Sequence, residues 1–159
     1  MLSPVRFRNA AVLTVLVVCV LAVLWKITRP AKPPFRLDPD APTARAADAE
    51  VGRFHDRLTG RRYSEICGAA DPSALKGVTQ LPCPDFLEYV RTRLGSVHSS
   101  RRTQLPLVET RSAGEPARVG LRYATTFDND TGNEDFEWRV AGDKVTLTSY
   151  KVASPALSP

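Results

Sequence analysis

Residues that commonly carry chemistry are scarce in this chain of 159 residues. It has two histidines, three cysteines and one methionine. Their spacing forms no zinc pattern, and no phosphate loop or nucleophile elbow appears. The familiar motif-borne enzyme classes are thereby set aside, and no metal or cofactor is expected. Basic residues interleaved with aromatics are also missing. Arg61-Arg62 and Arg101-Arg102 stand without any recognition motif, so the formal charge of +5 does not argue for nucleic acid.

One feature is present in abundance. Residues 10–25 form an unbroken apolar run, AAVLTVLVVCVLAVLW, flanked by Arg6 and Arg8 before it and by Lys26, Arg29 and Lys32 after it. Extended through Ile27, it would span roughly 27 Å as a helix of about 18 residues, close to the ~30 Å hydrocarbon core. Cleavage as a signal peptide fits poorly, because the run leads directly into Trp25, Lys26, Ile27, Thr28 and Arg29 with no small-residue site. Lipidation fits poorly too, since Cys19 follows Val18 and lies inside the run. The expectation is an uncleaved single-pass helix at 10–27 behind a basic tail at 1–9, with Lys26, Arg29, Lys32 and Arg36 at the anionic surface of the lipid bilayer.

The two indicators of orientation disagree. Basic residues within reach of each end slightly favour a cytoplasmic C-terminal part. Cys67 and Cys83, the two thiols outside the apolar run, suit a disulfide in an exported domain, although two unrelated buried thiols would give the same sequence. The cysteines tip the expectation towards an extracytoplasmic domain, periplasmic if the source is bacterial.

Residues 28–43 hold five prolines and few apolar side chains, which reads as a semi-rigid tether. The remaining stretch, 44–153, is enough for one small domain, and 154–159 reads as a loose tail. The domain begins helically. Thr43 is a plausible cap, Ala47, Val51, Phe54 and Leu58 share one face, and Gly60 stops the helix, with Asp48, Glu50, Arg53 and Asp56 towards water. A second helix is expected over 61–70, with Tyr63, Ile66, Cys67 and Ala70 inward. A third starts at Pro84, carrying Phe86, Leu87, Val90 and Leu94 before Gly95.

Beyond Gln104 the period becomes two. Val119, Leu121, Tyr123 and Phe127 alternate with Gly120, Arg122, Ala124 and Thr126. Phe136, Trp138 and Val140 alternate with Asp135, Glu137 and Arg139, and Val145 and Leu147 with Lys144, Thr146 and Thr148. A Gly142-Asp143 turn would pair Ala141 with Lys144, Val140 with Val145 and Trp138 with Leu147. The preceding hairpin, with its turn in 128–135, must match odd positions to even ones, and several closures satisfy that. An earlier strand is expected over about 104–111. The fold class that follows is α+β, with helices packed on an antiparallel sheet.

Phe54, Leu58, Gly60 and Tyr63, followed by the blocks Val119-Gly-Leu-Arg-Tyr123, Phe136-Glu-Trp-Arg-Val140, Lys144-Val-Thr-Leu147 and Tyr150, resemble the cone-shaped domains of the nuclear-transport-factor-two-like and cystatin-like superfamily. The C-terminal blocks are similar to small bacterial exported domains of unknown function. The resemblance implies a curved sheet over about 45–153. It implies little about activity, because this fold hosts enzymes and non-enzymes alike.

Enzymes of that superfamily often place an Asp or His inside the cone as a general base. Here His55 comes one position after inward Phe54 and is expected to face solvent, and His98 falls in a Ser-rich loop. The acidic stretch 128–135 has calcium-loop features in Asp128, Asp130 and Gly132, but Arg139 occupies the closing position, so a polar hairpin turn is the better reading. Asn129-Asp130-Thr131 matches a glycosylation pattern that matters only in a eukaryotic secretory setting. No catalytic residue is assigned. The aromatic wall Tyr123, Phe127, Phe136 and Trp138 supplies the ligand-pocket candidates, with a filled core as the plainer alternative. The expected function is a non-enzymatic, membrane-anchored envelope protein whose domain serves as an interaction or assembly module with envelope protein partners. The alternative is a small-molecule binder or degenerate enzyme using the aromatic wall.

Overall fold

The computed structural model describes residues 41–75, 81–110 and 115–157, all within the second of the two units into which the chain divides, Pro34–Pro159. The apolar run at 10–27 and nearly all of the 28–43 stretch lie outside the described residues. Among those described, no helix is long and apolar enough to cross a membrane.

Three helices precede the sheet: α1 (Pro42–Thr59), α2 (Tyr63–Ala69) and α3 (Cys83–Leu94). Helix α1 starts one residue before the expected cap. Pro42 occupies its first turn, where the missing N–H is no loss, and the carbonyl of Ala41 accepts from the Arg45 N–H at 3.1 Å. Ala44, Ala47, Val51, Phe54 and Leu58 are buried. In α3 all four expected apolar positions, Phe86, Leu87, Val90 and Leu94, are buried. Helix α3 ends at Gly95, whose φ is 89° and where a Cβ would lie 2.6 Å from the Cβ of Asp128. Only glycine meets both conditions. Cys67 of α2 and Cys83 at the start of α3 form a disulfide with their Cα atoms 6.0 Å apart, joining the two shorter helices.

The sheet comprises β1 (Val97–Arg102), β2 (Leu107–Glu109), β3 (Ala117–Phe127), β4 (Thr131–Ala141) and β5 (Lys144–Ala153). All pairings between these strands are antiparallel. The order is β1-β3-β4-β5, with β2 also paired to β3. Strand β1 corrects the expected Ser-rich loop around His98. Its sequence, VHSSRR, has one apolar residue and it is exposed along most of its length, so it carries no alternation to read. Pairing with Tyr123–Phe127 of β3 holds it in place.

The Gly142-Asp143 hairpin has the expected register: Ala141 faces Lys144, Val140 faces Val145 and Trp138 faces Leu147. Gly142 supplies the positive φ of 58° that the turn needs. The β3–β4 hairpin closes with Thr126 opposite Thr131, which sets Leu121 against Phe136 and Tyr123 against Glu134. The acidic turn is therefore shorter than the 128–135 stretch, because β4 already begins at Thr131. A register shift between Glu137 and Trp138 inserts one extra residue on β5 and brings Tyr150 opposite Phe136. Without that bulge the alternation would place Ser149 inward instead of Tyr150.

The three helices pack on one face of this sheet. Phe136 is the hub, with Phe54 at 5.2 Å, Tyr150 at 5.0 Å, Tyr123 at 6.0 Å and a stacked Trp138 at 6.1 Å between ring centroids. The C-terminal residues expected as a loose tail are tied down in part. Ser154 is buried, and Pro155–Leu157 form a 3₁₀ turn.

Candidate functional site

The most concentrated chemistry lies inside, where Glu134 of β4 has no exposed surface. Three donors from three other elements converge on its carboxylate. The Thr125 hydroxyl of β3 and the Nε2–H of His55, at 2.8 Å, meet Oε2, while the Tyr150 hydroxyl of β5 donates to Oε1 at 2.7 Å. Burial, then the charge of Glu134 and its hydrogen bond, push the Tyr150 hydroxyl well above its usual range. A carboxylate in this position would be very costly without donors, and here both oxygens have them.

His55 corrects the expectation of a solvated histidine, for it is 5 % exposed. The reason is geometric. Position 55 is four beyond Val51 and three before Leu58, so it shares the buried stripe with Phe54. A stripe of two adjacent positions per turn was available in the pattern 51, 54, 55, 58. Glu134 was legible in the same way, since the inward phase of Phe136, Trp138 and Val140 extends back through 134 to Gly132.

At the rim of this cluster Tyr123 donates its hydroxyl to Asp48, which also accepts from Arg102 Nη1 at 2.7 Å. Burial, then Asp48, raises the Tyr123 hydroxyl above its usual range. Asp48, expected to face water, bridges α1 to β1 and β3. All four pocket candidates are buried. Phe136 is packed among its neighbouring rings, the Phe127 ring lies 3.4 Å from where a Cβ on Gly132 would stand, and Trp138 Nε1 finds no acceptor among the described residues.

Asp128 and Asp130 of the 128–135 stretch act as clamps. Asp128 Oδ2 accepts from the Ser96 N–H at 2.8 Å, and the Asn129 N–H donates to the Leu94 carbonyl at 2.9 Å, so the turn caps the end of α3. Asp130 Oδ2 accepts from the Ser154 hydroxyl at 2.5 Å and the Ala156 N–H at 2.9 Å. These bonds hold both carboxyls below the usual carboxylate range. No cluster of three metal-ligating residues occurs among the described residues.

No family model matches the sequence, and no curated protein matches it. Among solved structures, that of Bdellovibrio bacteriovorus Bd1075 is similar with a TM-score of 0.45 at 8% identity, over 72% of this chain and 41% of the other. The chain thus spans less than half of that protein's length.

Proposed function

We propose that this chain is a non-enzymatic, single-pass membrane-anchored envelope protein whose 44–153 domain serves as an interaction or assembly module. The observation that carries the reading is the sealed state of Glu134. The His–carboxylate pair among the described residues is directed at internal partners on both oxygens, and with Glu134 fully buried neither oxygen faces solvent, which suits a structural anchor. The packing of Phe136 among four aromatic neighbours supports the same reading over a pocket lined by the aromatic wall.

Two further features support the setting. The Cys67–Cys83 disulfide favours an oxidising, extracytoplasmic compartment, and the apolar run at 10–27 has the length of a spanning helix. The order of three helices followed by an antiparallel meander favours membership of the nuclear-transport-factor-two-like and cystatin-like superfamily, with its cone-shaped curvature. The module would then meet envelope partners through the sheet face opposite the helices. That face carries Arg118, Arg122, Arg139 and Lys151, with Leu105 57 % and Leu107 44 % exposed nearby.

Purification of the full chain in mild detergent tests this reading, with a stoichiometric envelope partner expected. Recovery of the monomer alone would count against it. Reporter fusions after Ser154 test the topology, with activity expected from a periplasmic reporter.

A further inference from the structure

A cleft of about 560 Å³ lies where α3 and the C-terminal 3₁₀ turn meet the margin of β5, within the ~300–1,000 Å³ range of small-molecule sites. Its lining divides by chemistry. Phe86 and Tyr89 of α3, Val152 of β5 and Leu157 of the 3₁₀ turn form an apolar wall, whereas Arg122, Asp135 and Lys151 form a charged one. Alternation along β5 explains the division: Tyr150 and Val152 point towards the helices and Lys151 towards the opposite face. The cleft therefore runs over the sheet's margin. Strand β5 ends the strand order, and among the described residues the segment around 71–74 bonds to its outer edge through Asp71 N–H to the Leu147 carbonyl and Tyr150 N–H to the Ala74 carbonyl.

The charged wall is a ladder of three partners across three strands, Arg122 to Asp135 to Lys151. Arg122 donates to both oxygens of Asp135, at 2.5 and 3.3 Å. Lys151 makes no ion pair with any described residue. The ladder thus carries one unanswered positive charge, and that charge stands beside apolar surface. Asp135 next to it disfavours a doubly charged head group, and a cation would meet Lys151 with like charge.

The geometry points to a binding site for a monoanionic amphiphile, a carboxylate on a medium-length apolar chain, with the chain against Tyr89, Val152 and Leu157 and the carboxylate at Lys151 Nζ. This site does not include Tyr123, Trp138 or Glu134, and it meets the Glu134 cluster only at Tyr150, which is part of its lining; it stands whether or not the assembly reading holds.

Photolabelling tests it. The full chain in phosphatidylcholine nanodiscs is irradiated with a diazirine-bearing dodecanoic acid, and the labelled peptides are mapped by mass spectrometry. Label is expected on the peptides carrying Tyr89 and Val152, competed by dodecanoate and not by dodecylamine. Lys151→Gln should weaken that competition about tenfold, the scale of one lost charge-assisted hydrogen bond, and Lys151→Arg should retain it. Lys151 is exposed, so both variants should keep the parent melting temperature. Label confined to residues 10–27, equal competition by the amine, or an unchanged Lys151→Gln variant would each overturn the proposal.

Discussion

Glu134 and Asp135 are adjacent carboxylates on one strand, and alternation sends them to opposite worlds. Glu134 is buried beneath three helices and accepts hydrogen bonds from three other elements, while Asp135 lies on the helix-free face with a 44% exposed side chain and a single arginine partner. Identical chemistry one residue apart is thus structural glue on one face and a replaceable surface charge on the other. Solvent makes the difference. Water screens the Arg122–Asp135 pair and competes for its hydrogen bonds, whereas nothing replaces a donor lost from Glu134.

The sharpest way to break this comparison is to truncate each carboxylate. Glu134→Ala should cost about 3–5 kcal/mol, because it strands His55, Thr125 and Tyr150 as buried groups without their acceptor. Urea denaturation reads the change, and a loss under about 1 kcal/mol would show that Glu134 does not anchor the core. Next in size is the disulfide. Cys67→Ser should lower stability by about 3 kcal/mol in the chain-entropy account of a loop this long. Thiol blocking of the native protein should label neither Cys67 nor Cys83.

A smaller effect isolates one arm of the inner network. Tyr150→Phe should cost about 1–2 kcal/mol, leaving one oxygen of Glu134 without its donor. The pH dependence has a definite sign. Burial and Glu134 raise the Tyr150 hydroxyl's pKa, so the folded state favours the protonated phenol. That contribution is complete below the unfolded value of about 10 and is lost as pH rises beyond it. Thermal melts between pH 8 and 11 should show a shallower alkaline decline in the Phe variant than in the parent.

The acid limb has the opposite sign. Asp128 and Asp130 are held below the usual carboxylate range, chiefly by hydrogen bonds from Ser96 and Ser154. Their contribution is complete above about 4 and fades as pH falls through the folded values. Protection of the Ser96 and Ala156 amides, measured relative to their intrinsic exchange rates, should fall there before that of the core amides does. Smallest of all, Asp135→Ala should change stability by no more than about 1 kcal/mol, and its loss should shrink further in high salt. A large loss would mean that the helix-free face is not a solvated one.

Most of the architecture was legible because it rests on periodicity. The stripes in α1 and α3, the alternation of β3 to β5 and the Gly142-Asp143 register follow from local chemistry that leaves one way to bury the apolar side chains. Strand β1 escaped notice because an edge strand solvated on both faces has no alternation to betray it. The polar cluster was overlooked for a different reason. His55 and Glu134 both sit in phase with apolar neighbours, so their inward direction is readable, but what a polar side chain does there is not until its partner is known.

The sequence by itself determined the α+β class, the inward face of β3, of the 136–140 part of β4 and of the start of β5, the apolar run and the pair of cysteines available for a bridge. Only the tertiary structure decided that residues 55, 125, 134 and 150 meet at one carboxylate. The physical reason is that hydrophobic periodicity is a local property that any strand or helix displays alone, whereas hydrogen-bond satisfaction is a relation between distant segments. His55 and Glu134 are separated by 79 positions. They meet through the packing of α1 on β4, and the β5 bulge turns Tyr150 inward to join them.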